Sequence, residues 1–341
     1  MKFLYLSLVL LFLTNCKDAK KSEYIATEDK EDSSKNISSE QHPGKKLMET
    51  ECYICHNPKA SESSRIAPPM IAIKKHYINS NTSKEEFRKS MVNWIENPSI
   101  KNSKMPGALK RFGVMPYQPY PIETIEQIAD YMFDNTIEQP KWFKEHYKQG
   151  HGKGHGKGNN KGMGRKNRNS PNSEIDYADM GLKYALSTKA QLGKNLMRTI
   201  KEKGTVGAVE FCNIKAITLT DSISVINNAL IKRVSDKPRN PKNKANATEL
   251  GHINTFKKLV SEEKEINPIV EKVNKKIHFY YPIKTNSMCL QCHGKSLKNI
   301  EIATMATLKV LYPNDKAIDY DVNEVRGIWS ISFDEKSIAV E

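Results

Sequence analysis

Two short runs in this 341-residue chain set two thiols and an imidazole at identical spacing, Cys52-Tyr53-Ile54-Cys55-His56 and Cys289-Leu290-Gln291-Cys292-His293. Thiols three positions apart can add across the two vinyl groups of a porphyrin. A histidine directly after them is placed to ligate the iron, so the pattern is the attachment sequence of a c-type heme. With 6 Cys and 9 His in the whole chain, chance supplies on the order of 0.003 such matches. Half of a four-cysteine zinc site, or a redox disulfide, is the competing assignment, but each run has its own histidine and neither has a second Cys-x-x-Cys nearby. The chemistry implied is two covalently attached hemes c, on Cys52 and Cys55 and on Cys289 and Cys292, with His56 and His293 as proximal iron ligands.

The elements that must hold these motifs are partly visible. Gly44 to Glu49 suits a short helix leading into Cys52, and a middle helix is expected from Lys84 to Glu96. Ile122, Ile125, Ile128, Ala129, Met132 and Phe133 recur at spacings of three and four, which predicts an amphipathic helix packed on the first one. Further on, Ala178 to Lys203 has helical periodicity, with Met180, Tyr184, Leu192, Leu196 and Ile200 as the expected buried face and Gly204 as the stop. A helix from Val206 to Thr220 carries Cys212. A strand is expected over 226–234, then a basic proline-bearing loop over 237–243 and a helix over 247–263. A strand over 277–283 delivers the chain to the second motif, and 325–333 forms the last strand.

Residues 43–135 resemble a class I cytochrome c domain. The matching features are the early attachment motif, the Ala67-Pro68-Pro69 turn, the middle helix, a Met-Pro step and the terminal amphipathic helix. The resemblance implies an all-α domain whose iron takes His56 and a methionine thioether, a neutral soft pair that favours ferrous iron. Met115, in Gly113-Val114-Met115-Pro116, occupies the family position just before the terminal helix; Met105, Met70 and His76 remain alternatives. Met91 and Met132 are read as core residues.

Residues 174–341 resemble an α+β, PAS-like family of bacterial c-type heme domains. The resemblance rests on Glu210-Phe211-Cys212, Arg239-Asn240-Pro241-Lys242-Asn243, Tyr281-Pro282-Ile283, the second motif with Gly294, and Val325-Arg326-Gly327. It implies that Cys212 ligates the iron opposite His293. Residue bookkeeping points the same way, because Cys212 is the one cysteine with no other assignment; a buried structural cysteine is the alternative. An anionic thiolate stabilises ferric iron and lowers the potential. Arg239 or Arg326 is a candidate partner for heme propionates, with surface ion pairing as the alternative.

The remaining segments set the location. Phe3 to Leu13 is apolar but only eleven residues long, too short for a span of about 20 residues. With Leu13-Thr14-Asn15-Cys16 it reads as a lipoprotein-type signal peptide over 1–16, with Cys16 lipidated; Asn15 departs from the usual small residue there. Residues 17–42 are polar and charged, a disordered spacer. The first domain then covers 43–147 and the second 174–341. Between them, 148–173 is a flexible linker rich in Gly, Lys and His, whose His151 and His155 make at most a weak metal site.

Net charge is +15, and residues 146–173 hold seven basic and no acidic groups. Such a concentration favours a solvated tether over a folded nucleic-acid surface, and its partners would be anionic head groups or an acidic redox protein. The expectation is a multidomain, lipid-anchored diheme cytochrome on the periplasmic side of a bacterial membrane or on the cell surface. It would transfer electrons between its two hemes across a flexible hinge and need no catalytic residues. Heme-based redox or gas sensing through a displaceable Cys212 is the alternative, and a diheme peroxidase a minor one.

Overall fold

The computed structural model describes residues 42–151 and 176–335. Cys16, the leader, the spacer as far as residue 41 and the tract 152–175 lie outside the described residues.

The first part is helical. Helix α1 (Pro43–Leu47) continues as a π-helical turn, Met48–Cys52, into the first motif. It is followed by α2 (Met70–Tyr77), α3 (Lys84–Glu96), α4 (Pro106–Phe112), α5 (Ile122–Asp134) and α6 (Phe143–His151). The α3 boundaries are those expected, because Ser83 and Glu86 form a reciprocal capping box at its start. Its Phe87, Met91 and Ile95, four residues apart, are buried, and they share a core with Met48, Met70, Ile125, Ile128, Ala129 and Met132. Helix α1 lies on α5 as expected. Their approach requires Gly44, since a Cβ there would stand 1.9 Å from the Gln127 carbonyl oxygen. Ile122 departs from the expected face: as the first residue of α5 it is 45% exposed.

The second part is mixed α+β, built on a four-stranded antiparallel sheet of order β1-β4-β3-β2. Helix α7 (Tyr177–Ile226) precedes β1 (Ala229–Val234), α8 (Ala247–Ser261), β2 (Ile269–Val273), β3 (Lys276–Lys284), α9 (Ser287–His293), α10 (Ile302–Leu311) and β4 (Val325–Asp334). The long α7 bends at Gly204, whose φ of 67° leaves the helical region, so its halves are the two helices expected from sequence. Strand periodicity sends alternate side chains to two cores. Ile231, Ile277, Phe279, Trp329, Ile331 and Phe333 meet Leu182, Ala185 and Leu186 of α7. Val234, Tyr280, Val325 and Ile328 meet Ile253 and Phe256 of α8.

Three expectations shift. The first strand starts at Ala229, because α7 runs on to Ile226 and Asn228, at φ 46°, makes the turn. The buried face of α7 comprises Leu182, Tyr184, Ala185, Leu186 and Met197; Met180, Leu192, Leu196 and Ile200 are half-buried. Strand β2 and helix α10 are additional.

Candidate functional site

The first motif emerges from the π-turn and is closed by backbone bonds from Cys55 N–H and His56 N–H to the Cys52 carbonyl, at 3.1 and 2.9 Å. π-turns inside helices cluster at functional positions, and this one re-aims the chain immediately before Cys52. His56 is buried, and its Nδ1 lies 2.6 Å from the Pro68 carbonyl. A carbonyl can only accept, so Nδ1 carries the proton and Nε2 keeps its lone pair. Burial holds the imidazole below its ordinary pKa, against the pull of that hydrogen bond, and so keeps it neutral.

The second motif occupies α9 at the end of β3, capped by the Asn286 side chain, which accepts from Cys289 N–H at 3.2 Å. His293 repeats the arrangement of His56, its Nδ1 standing 2.7 Å from the Ala317 carbonyl. Arg326 Nε also lies 3.3 Å from that nitrogen. One ring nitrogen cannot donate and accept there at once, and the shorter oxygen contact places the proton on Nδ1, so the guanidinium only abuts the ring. Burial first, then Arg326 and Arg239, hold His293 well below the usual imidazole range. Arg326 reaches this position through a bulge: β3 pairs Ile283 with Gly327 and Lys284 with Val325, leaving Arg326 unpaired and turned toward α9.

Three arginines gather behind the second motif with different duties. Arg239 is fully engaged, with Asp315 at 2.8 Å, the Cys292 carbonyl at 2.5 Å and the Ala317 carbonyl at 3.3 Å. It therefore braces the motif and the loop carrying the histidine's acceptor, and its pairing with Asp315 is the ion-pair alternative given for it above. Arg326 and Arg233, by contrast, have no carboxylate within ion-pair distance among the described residues. Burial and the neighbouring Arg326 lower Arg233 to about 10. Two enclosed guanidinia without an ion-pair partner among the described residues are what an anionic group such as a pair of propionates would neutralise. Arg233 carried no signal in the sequence beyond being a basic residue in a strand.

Cys212 lies in the second half of α7, half-buried, and near enough to Cys292 for its charge to push that thiol's pKa up. Burial raises its pKa, and Arg233, Arg239 and Arg326 oppose that. The structure thus brings Cys212, Cys292, His293 and the arginines into one neighbourhood. Burial also raises Cys52 to about 12 and Cys292 to about 11. A redox dithiol needs a lowered thiol, and neither Cys289 nor Cys292 has one, since burial raises both.

The methionines divide by depth. Met115 is half-buried against the helical core, in the extended segment between α4 and α5. Met105 caps α4 and is buried, as is Met70 at the start of α2, while His76 is exposed with Nδ1 2.8 Å from the Ala72 carbonyl. Among the described residues, no three His, Cys, Asp or Glu side chains converge as a metal cage requires, and no helix is long and apolar enough to cross a membrane.

The two motifs adjoin each other. The Glu51 carboxylate, next to Cys52, accepts from the Ser287 N–H and hydroxyl at 3.2 and 2.9 Å, two residues before Cys289. The Tyr120 hydroxyl donates to the Glu51 carbonyl at 3.3 Å, and Asn57 Nδ2 reaches the Tyr281 hydroxyl at 3.4 Å. Lys189 of α7 donates to the Ile54 carbonyl, inside the first motif, at 3.0 Å. Ala60 is buried in the α7-facing core of the sheet. None of these contacts between distant segments was expected from the sequence.

An antiparallel sheet flanked by a kinked helix, with Cys-x-x-Cys-His following its third strand, defines a mixed α+β protein. The chain belongs to the Tll0287-like family, whose model matches residues 122–334. A solved structure described as that of the cyanobacterial heme-protein Tll0287 is 19% identical, covering 46% of this chain and 97% of its own, with a TM-score of 0.36. No curated protein matches the chain.

Proposed function

We propose that the chain is a diheme c-type cytochrome that passes electrons between a histidine/thiolate heme, on Cys289, Cys292, His293 and Cys212, and a histidine/methionine heme, on Cys52, Cys55, His56 and Met115. In this reading the helical segment is a class I cytochrome c domain, and the protein is held by lipidated Cys16 on the outer side of a bacterial membrane. It would exchange electrons there with other redox proteins. The supporting observation is that both motif histidines donate Nδ1–H to a backbone carbonyl, Pro68 or Ala317, which leaves Nε2 as a pre-oriented ligand. The unpaired Arg233 and Arg326 suit the acidic edge of a porphyrin, and the family takes its name from a protein described as a heme-protein.

The heme supplies the one-electron couple; the chain's residues orient its ligands, offset its charge and set its potential. The test is a spectroelectrochemical titration of the chain lacking residues 1–16. Two separated one-electron waves, with a reduced Soret band that carbon monoxide leaves in place, support electron transfer. One wave, or an absence of redox-active absorbance, contradicts it.

A second reading, ligand-exchange sensing, is favoured by the burial that raises the Cys212 thiol. A thiolate that takes up a proton on reduction is a poor ligand and would leave the iron open. In that case carbon monoxide shifts the Soret band of the second heme alone.

A further inference from the structure

Lys189 is a charged side chain of α7, yet its Nζ donates to the carbonyl of Ile54, between the two thiols of the first motif. Among the described residues it has no carboxylate within ion-pair distance. Burial lowers its pKa, and the groups that oppose this are two thiols, Cys55 of one motif and Cys289 of the other. A single cation of the α+β part therefore reaches inside the first motif, and the Glu51–Ser287 bonds hold the second motif beside the first. Other charges nearby are differently placed. Glu51 is spent on Ser287, Lys284 donates to Asn323 at 3.0 Å, and Lys59 pairs with Glu265 at 2.7 Å.

A fixed positive charge in an enclosed site favours the state of a neighbouring redox group that holds one more electron, and the effect is strong where water does not screen it. We infer that Lys189 is a positioning residue shared by the two motifs, one that raises the reduction potentials of both hemes together. This rests on the diheme reading. It changes the picture of two cytochromes joined by a tether into one in which the α+β part sets the potential of the heme on the helical part. Its hydrogen bond to Ile54 ties that effect to a defined attachment loop.

The test uses the holoprotein titrated at pH 7, with heme content fixed beforehand by intact mass. Lys189→Gln and Lys189→Met remove the charge with different polarity, so that one remains readable if the other loads poorly. Each is expected to shift both waves to lower potential. Lys189→Arg, which keeps the charge, should leave both in place. So should Lys183→Gln, since Lys183 is exposed on the same helix. With two hemes bound, a shift of only one wave, or of neither, overturns the inference and leaves the diheme reading standing. Fewer than two hemes in the wild-type protein overturns both.

Discussion

The carboxylate of Glu51 receives two hydrogen bonds from Ser287, one from its backbone N–H and one from its hydroxyl. Each residue lies just ahead of an attachment motif, so this contact fastens the π-turn before Cys52 to the first turn of α9 before Cys289. Glu51 is 6% exposed, and burial raises its pKa while the Ser287 bonds resist. A carboxylate held in so enclosed a place depends on its donors.

Ser287→Ala removes one of those donors. The expected cost is about 1–2 kcal/mol in chemical denaturation at pH 8, where Glu51 is ionised. Because the folded-state pKa is raised, the ionised carboxylate weakens the fold above that pKa, and the fold gains stability as pH falls through it toward 4.5. The gap between wild type and variant therefore narrows on acidification. A gap independent of pH would show that the hydroxyl does not serve the carboxylate.

Glu249 supplies the opposite sign. It is 2% exposed and accepts from Lys232 at 2.6 Å, Ser330 at 2.8 Å and Asn246 N–H at 2.9 Å. Burial pushes its pKa up, but these bonds outweigh that and hold it below the ordinary 4.5. Its stabilisation is complete above 4.5 and is lost as pH falls through the depressed value. Glu249→Ala should cost about 2–3 kcal/mol at neutral pH, leaving the Ser330 hydroxyl without its acceptor, and should flatten the acid limb of the pH–stability curve.

Gly44→Ala tests the helical segment. The new Cβ meets the Gln127 carbonyl and the Tyr131 side chain, backbone on one side and core on the other. Separating α1 from α5 should cost roughly 3 kcal/mol, the upper range for overpacking. On the diheme reading, the loss should show as lower heme retention at Cys52 and Cys55 with the second motif unaffected. Equal loading of both sites in the variant would mean that the α1–α5 contact does not support the first motif.

On the diheme reading, Cys212→Ala leaves the second iron without a protein ligand opposite His293. Its ferric spectrum is expected to change from low-spin to high-spin, with tighter binding of added imidazole, while the first heme keeps its bands. An unaltered spectrum would assign the position opposite His293 to another residue.

Much of the site was visible as sequence because its chemistry is local. The spacing within each motif places thiols and imidazole together with no help from the fold, and the Pro68 turn lies only twelve residues from His56. The ends of α3 were legible in Ser83 and Glu86, and Gly204 marked the bend of α7. Helix α10 was hidden because only Thr304 and Leu308 are fully buried, and β-branched residues blur the run. Strand β2 is an edge strand without fully buried side chains, joined to β3 by Asn274 and Lys275, both at positive φ.

What no local pattern could reveal is the meeting of distant segments. Glu51 and Ser287 are 236 residues apart, and Lys189 is 135 residues from Ile54. Nothing in the Gly- and Lys-rich tract between them signals that Ala60 packs among residues of α7 and the sheet. The partners of Arg239 were hidden for a related reason. Its part in bracing Cys292 and Ala317 depends on Asp315, which only the tertiary fold supplies.

The most direct measurement is the intact mass, under denaturing conditions, of the chain expressed with a c-type heme maturation system. Two covalent hemes are expected on the wild type. One should remain when Cys52 and Cys55 are both replaced by alanine, and one when Cys289 and Cys292 are. A wild-type mass carrying one heme or none would contradict the diheme reading.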